Sequence, residues 1–235
     1  MSSLTQPLPP GRTRRRRLRT LNRARNQRTS PAPKPSPLSR FIEGFRFFGS
    51  FLRRPGAVGS LFPSSEALAR AMLANCDLRQ ARTVVELGPG TGAVTRPILA
   101  AIGPQTLFLA LELDANHVRN LSQSYPRLRV FRDSAEHLGR YLGRFQRREA
   151  DVVISGLPWA NLPAVPQERL FKSVLGGVSP DGVFVTFAYA HAWWLPGAKR
   201  FRQLLRRHFQ QVTRSGIVWR NLPPAYVFHC RLPNP

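Results

Sequence analysis

The stretch Val84-Val-Glu-Leu-Gly-Pro-Gly-Thr-Gly92 constrains the fold of this chain more than any other. A short apolar run enters a turn with three glycines, and a helical pattern opens near Ala93. Glycines at such a turn let the backbone approach a ligand closely and present amide groups at a helix N-terminus. A glycine triplet alone also suits an ordinary strand-helix turn, so the context decides. Around it, strands are predicted near 82–87, 106–112, 128–132, 151–155 and 183–189. Helices are predicted near 92–102, 115–124, 134–145, 165–176 and 197–209, and two closing strands near 211–219 and 225–232 form a hairpin. This alternation predicts an α/β domain whose parallel sheet ends in an antiparallel pair, with a dinucleotide-binding fold as the rival by pattern alone.

Three strand ends carry carboxylates. Glu86 precedes Gly88, Gly90 and Gly92, where a carboxylate suits the ammonium group of an amino acid better than a pyrophosphate. That favours S-adenosylmethionine over NAD. Glu112, in Leu111-Glu-Leu-Asp114, stands where an acidic residue accepts both hydroxyls of a ribose. Asp133, in Phe131-Arg-Asp-Ser134, is placed to accept from an adenine amino group, with the amide at Ser134 available to the ring. Each could be a helix cap or a solvated loop residue; three in succession are harder to dismiss.

The length of 235 residues leaves room for one such domain plus an arm. Residues 1–40 hold eleven basic residues and no acid, and Pro31 to Pro37 reads as an extended spacer, so residues 1–37 are expected to be a disordered basic arm. Residues 38–80 are expected to form amphipathic helices, the first with Phe41, Phe45, Phe48 and Leu52 on one face, as a membrane-surface helix or a helix packed on the body. Residues 81–235 make the catalytic domain. The net charge of +24 implies polyanionic surroundings, nucleic acid or anionic lipid, without distinguishing them. Arg14 to Arg17 are followed by a polar stretch rather than an apolar one, which argues against an export signal. Two cysteines, Cys76 and Cys230, give no disulfide framework and suit a reducing cytoplasm.

The body, from about Phe51 to Arg231, resembles the bacterial phospholipid N-methyltransferases, a branch similar to the ribosomal RNA adenine dimethylases. The resemblance is carried by Gly56 to Ser65, Glu86 to Gly92, Ser155-Gly-Leu-Pro158, Phe187-Ala-Tyr189 and Asn221-Leu-Pro-Pro-Ala225. It implies a class I methyltransferase with a Rossmann-like sheet, mostly parallel with an antiparallel C-terminal strand and preceded by N-terminal helices. It also implies methylation of a lipid amine, phosphatidylethanolamine first, at the inner face of the cell membrane, with adenine in RNA as the alternative; in-line displacement from a sulfonium needs no metal, and a monomer is expected.

Ser155, Gly156, Leu157, Pro158 and Trp159 are the expected substrate wall. In adenine dimethylases the matching segment begins with Asn; Gly156 stands there instead, while Trp159 keeps an aromatic surface for a cationic head group or a base. Tyr189 is the candidate to hold substrate, and His191 to accept the proton an ammonium must lose. Trp193, Trp194 and Leu195 follow, as interfacial residues or as a core cap.

Overall fold

The computed structural model describes residues 63–233, with side chains from Glu66 onward. The basic arm, the helix expected over 38–54 with Phe41, Phe45, Phe48 and Leu52, and the segment from Gly56 to Phe62 lie outside the described residues.

Helix α1 (Pro63–Leu73) leads to strand β1 (Thr83–Leu87), α2 (Thr95–Ala101), β2 (Leu107–Glu112), α3 (Ala115–Ser124), β3 (Arg129–Arg132), α4 (Leu138–Arg144), β4 (Ala150–Ser155), α5 (Ala164–Leu175), β5 (Val178–Tyr189) and α6 (Pro196–His208). Strands β6 (Phe209–Arg214) and β7 (Ala225–Pro233) close the domain. Short 3-10 turns sit at Ala135–His137, Trp159–Asn161 and Ala190–Ala192.

The sheet order is β3-β2-β1-β4-β5-β7-β6. β1 to β5 are parallel, and β7 inserts antiparallel between β5 and β6. The expected class of fold is therefore present, a Rossmann-like α/β sheet with one antiparallel C-terminal strand. Chain order reverses between β1 and β4, so the helices that follow them, α2 and α5, pack on opposite faces of the sheet and leave a crevice at the carboxyl edge.

Side-chain alternation explains why the strands read as nearly continuous apolar runs. In β1, Val85 and Leu87 join the core under α4, α5 and α6, whereas Val84 joins the opposite core under α1, α2 and α3. Period two puts Glu86 on the Val84 side, where the chain entering α2 meets it.

Several element bounds differ from the pattern-based expectation; β6 spans Phe209–Arg214 rather than 211–219, the helix expected over 134–145 is α-helical only over Leu138–Arg144, and two other differences have a clear cause. α2 begins at Thr95 rather than near 92, because Gly88, Gly90 and Gly92 have φ of +70°, +56° and +86° and the turn cannot continue as a right-handed helix. β5 begins at Val178 rather than 183: Val178 pairs with Ala150 and Val183 with Val152, so the turn-like residues 179–182 form an irregularity inside a strand.

Candidate active site

Gly88 and Gly156 bring the loops after β1 and β4 together. Gly156 donates its amide to Leu87 O at 2.8 Å, and Gly88 donates to Leu111 O at 2.9 Å. A Cβ at Gly156 would stand 2.6 Å from Gly88 O, so glycine here is a requirement of backbone approach. At Gly92 the φ of +86° strains any residue with a side chain.

Each of the three carboxylates is fixed by its own partners. Glu86 is 2% exposed, and Thr95 Oγ1 donates to its Oε2 at 2.7 Å. Burial pushes the Glu86 carboxyl up to about 8 from its ordinary 4.5; the Thr95 hydroxyl opposes the shift and the neighbouring Glu112 adds to it. No cationic side chain among the described residues pairs with Glu86. Glu112 accepts from Gly90 N at 3.0 Å and from Asp114 N at 2.9 Å, and His117 Nδ1 lies 3.9 Å from its Oε2. The carboxylate thus clips the glycine turn to the end of β2. Asp133 accepts from Ser134 N at 2.7 Å, from Tyr141 Oη at 2.9 Å, and has His137 Nδ1 at 2.8 Å. Its burial works to raise the pKa, but the contacts from His137, Ser134 and Tyr141 outweigh it and hold the carboxyl below the usual range. The Ser134 amide, expected to be available to a ring, is engaged by Asp133, and the Ser134 hydroxyl caps the following turn through Glu136 N.

A first cleft runs between these strand ends. Leu111, Leu113, Ala135, Leu157 and Leu170 wall it, Asp133 and Ser134 supply polarity, and Gly88 forms its floor. A second cleft shares Leu157 with the first and is lined by Pro158, Asn161, Phe187, Tyr189 and His191. The two expected catalytic residues are therefore side by side, their rings stacked with centroids 5.6 Å apart. His191 is exposed, and burial raises the Tyr189 pKa, which keeps the phenol protonated at neutral pH.

Trp159 lines the second cleft beside Leu157 and Pro158, while most of its ring faces inward. The ring is buried, stacked on Phe201 at 4.6 Å and edge-on to Phe171 and Phe184. Its Nε1 donates to Ser155 Oγ at 3.0 Å, so Ser155 is likewise an internal anchor. The apolar area of an indole is better used in a core that can also satisfy its N–H. The loop it anchors is held further by buried Gln167, whose Nε2 donates to Trp159 O and Gly197 O. Trp193 also packs inward, against Tyr226 and Phe228.

Several site residues have little or no signature in the sequence. Thr95 has none beyond its place after the glycine turn. Asn161 reaches the second cleft only through a 3-10 turn, whereas Phe187 was marked by the Phe187-Ala-Tyr189 motif at the end of β5. His137, four residues beyond Asp133, was readable as an i,i+4 partner. Asn221 is buried and donates Nδ2 to Pro223 O, while Pro224 O accepts from Ala190 N, so the Asn221 to Ala225 motif supports the turn carrying His191.

The residues fit the cofactor that the glycine turn implies: a buried acid with no cationic side chain beside it suits an ammonium group, and an apolar slot ending in Asp133 suits an adenine. Magnesium protoporphyrin IX methyltransferase from Synechocystis PCC 6803, whose structure holds bound S-adenosylmethionine, superposes with a TM-score of 0.60 at 13% identity, covering 86% of this chain and 100% of that one. The fold and site define a class I S-adenosylmethionine-dependent methyltransferase. No protein-family model matches the chain. An ornithine lipid N-methyltransferase from Singulisphaera acidiphila is 33% identical over 192 residues, which is 80% of this chain and 95% of that protein. The chain belongs to this lipid N-methyltransferase family. Ribosomal RNA small subunit methyltransferase A from Laribacter hongkongensis is 29% identical over 101 residues, 43% of this chain and 37% of that one.

No group of three or more potential metal ligands occurs among the described residues, and none of their helices is long and apolar enough to cross a membrane.

Proposed function

We propose that the enzyme methylates the amine of an amino-lipid head group lying in the second cleft. The observation that carries this reading is Gly156: the position that holds an adenine-orienting asparagine in the dimethylases has no room here for any side chain. The relative acts, by its name, on ornithine lipid, and the resemblance to the phospholipid N-methyltransferases implies phosphatidylethanolamine. Both head groups carry a primary amine a few bonds from an anion.

In the first cleft Asp133 uses its remaining acceptor capacity for the adenine amino group, while at the adjoining strand ends Glu112 accepts from the ribose hydroxyls and Glu86 pairs with the amino-acid ammonium of the cofactor. Bound there, the cofactor supplies a methyl group on a sulfonium, open to in-line displacement. Tyr189, protonated, holds the head group by its hydroxyl, and His191 takes the proton that the amine must lose before its lone pair can attack. Leu157, Pro158 and Phe187 exclude water from the line of transfer. Residues 1–54, rich in arginine and phenylalanine, assist by holding the enzyme at an anionic membrane surface.

The assignment is tested with labelled S-adenosylmethionine offered with ornithine lipid, phosphatidylethanolamine or deproteinised ribosomal RNA. Label is expected in lipid extracts; label confined to RNA would sink the reading, and the ratio between the lipids ranks the head groups. Glu112→Ala should weaken S-adenosylhomocysteine binding by roughly 100-fold, since charge-assisted hydrogen bonds are worth roughly 1.5–3 kcal/mol each and the clip on Gly90 is lost too. Calorimetric titration of the folded variant checks this, and unchanged affinity would place the ribose elsewhere.

A further inference from the structure

The exposed large apolar side chains among the described residues gather at one edge of the sheet. Val165, 64% exposed, lies in the first turn of α5 after β4; Trp194 at 75% and Leu195 at 42% follow β5; Trp219 at 73% and Leu222 at 56% lie between β6 and β7. Since β7 runs antiparallel between β5 and β6, the loops leaving β5 and β6 emerge at the same edge. They also touch: Ala190 donates its amide to Pro224 O at 2.8 Å, and Val218 bridges to Ala225, the residue opposite Tyr189 in the sheet. This edge carries the second cleft.

Charge accompanies the apolar surface. No acidic residue follows Asp181, and Arg202, Arg214 and Arg220 lie on or beside these loops, whereas Arg231, opposite Val183, lies at the other end of β7. Arg202 and Arg214 lie over the Trp193 ring at 3.8 and 5.0 Å, and Arg202 Nη1 donates to Trp193 O, which fixes guanidinium groups beside the loop that exposes Trp194. A folded domain seldom leaves two tryptophans and three aliphatic side chains in water along one edge unless that edge meets a partner. Tryptophan favours the head-group zone of a bilayer, and guanidinium groups favour its anionic lipids. An RNA partner would use the arginines but leave Val165, Leu195 and Leu222 without a role.

We propose that the loops at 190–195 and 217–224 form a docking surface for a lipid bilayer containing anionic lipid, seating Trp194 and Trp219 among the head groups so that the second cleft opens onto its substrate. This rests on the amino-lipid reading of the active site.

The test uses the full chain and its Trp194→Ser/Trp219→Ser double mutant with phosphatidylcholine vesicles containing phosphatidylglycerol, some brominated on the acyl chains. Brominated lipid should quench a large part of the wild-type tryptophan emission and little of the double mutant's, which comes from buried Trp159 and inward-packed Trp193. Vesicle affinity should fall tenfold or more in the double mutant, while its melting temperature and S-adenosylhomocysteine affinity stay unchanged. If it melts early, Leu195→Ser/Leu222→Ser replaces it, with the same loss of affinity expected. The docking surface is overturned if wild-type protein does not bind the vesicles, or binds them and is quenched no more strongly than the double mutant. Detergent-dispersed amino-lipid separates this failure from that of the substrate reading. Equal methylation there by both proteins, with loss only on vesicles, supports docking; no methylation there by either sinks the substrate assignment and leaves docking to be decided by the quenching.

Discussion

Glu86→Gln is expected to make the ligand-free enzyme more stable at pH 8 and to weaken its hold on the cofactor. The two effects share one cause. Glu86 is 2% exposed, with the Thr95 hydroxyl as its hydrogen-bond partner among the described residues, and its pKa is pushed up to about 8 against an ordinary 4.5. The folded state therefore holds a proton that the unfolded state has released, so stability declines as pH rises from about 4.5 through about 8. An uncharged isostere that still accepts from Thr95 removes this penalty. The gain should be on the order of a few kcal/mol at pH 8, a rise of roughly 5 °C or more in melting temperature, and should shrink toward pH 5. Cofactor binding moves the opposite way, because an amide cannot neutralise an ammonium; a loss of roughly 10- to 100-fold is expected. Melting curves at pH 5 and 8, with and without S-adenosylmethionine, read both effects. A variant less stable at both pH values with cofactor affinity intact would show that Glu86 is a structural acid only.

Gly156→Asn should inactivate the enzyme rather than turn it into an RNA methyltransferase. Its Cβ would stand 2.6 Å from Gly88 O, a backbone atom of the turn that supports the first cleft. Relief requires the loops after β1 and β4 to separate, which strains Gly88 N to Leu111 O and Gly156 N to Leu87 O together. Overpacking of this kind costs about 1–3 kcal/mol, and the displaced turn should lower cofactor affinity by roughly tenfold or more. Gly156→Ala should reproduce most of the loss, since the Cβ causes it rather than the amide. S-adenosylhomocysteine titration and a melting curve on both variants decide. Native affinity in the Ala variant would refute the steric account, and efficient RNA methylation by the Asn variant would refute the specificity account.

The parallel order of strands and helices was legible because strands buried on both faces must be apolar along their length, and because β1 ends in glycines that only a tight turn needs. Glu86, Glu112 and Asp133 were legible as strand-end acids for the same local reason. Their partners were not. Thr95 meets Glu86 across the glycine turn, Gly90 meets Glu112 across 22 residues, and nothing in the local pattern records such meetings.

Trp159 shows the limit most clearly. Four residues beyond Ser155, it reads equally well as a substrate wall or as packing. Only α5 and α6, which bring Phe171 and Phe201 to the same space, turn its ring into the core. Likewise Trp193 and Trp194 are adjacent and chemically identical, yet the first is enclosed by Tyr226 and Phe228 from β7 and the second is left in solvent. The sequence by itself determined the sheet, the glycine turn and the acids at its strand ends, because periodicity and backbone freedom are local properties. Tertiary structure alone decided which aromatic rings face solvent, which amides the acids engage, and why position 156 admits only glycine. Those depend on contacts between segments far apart in the chain, which no local pattern encodes.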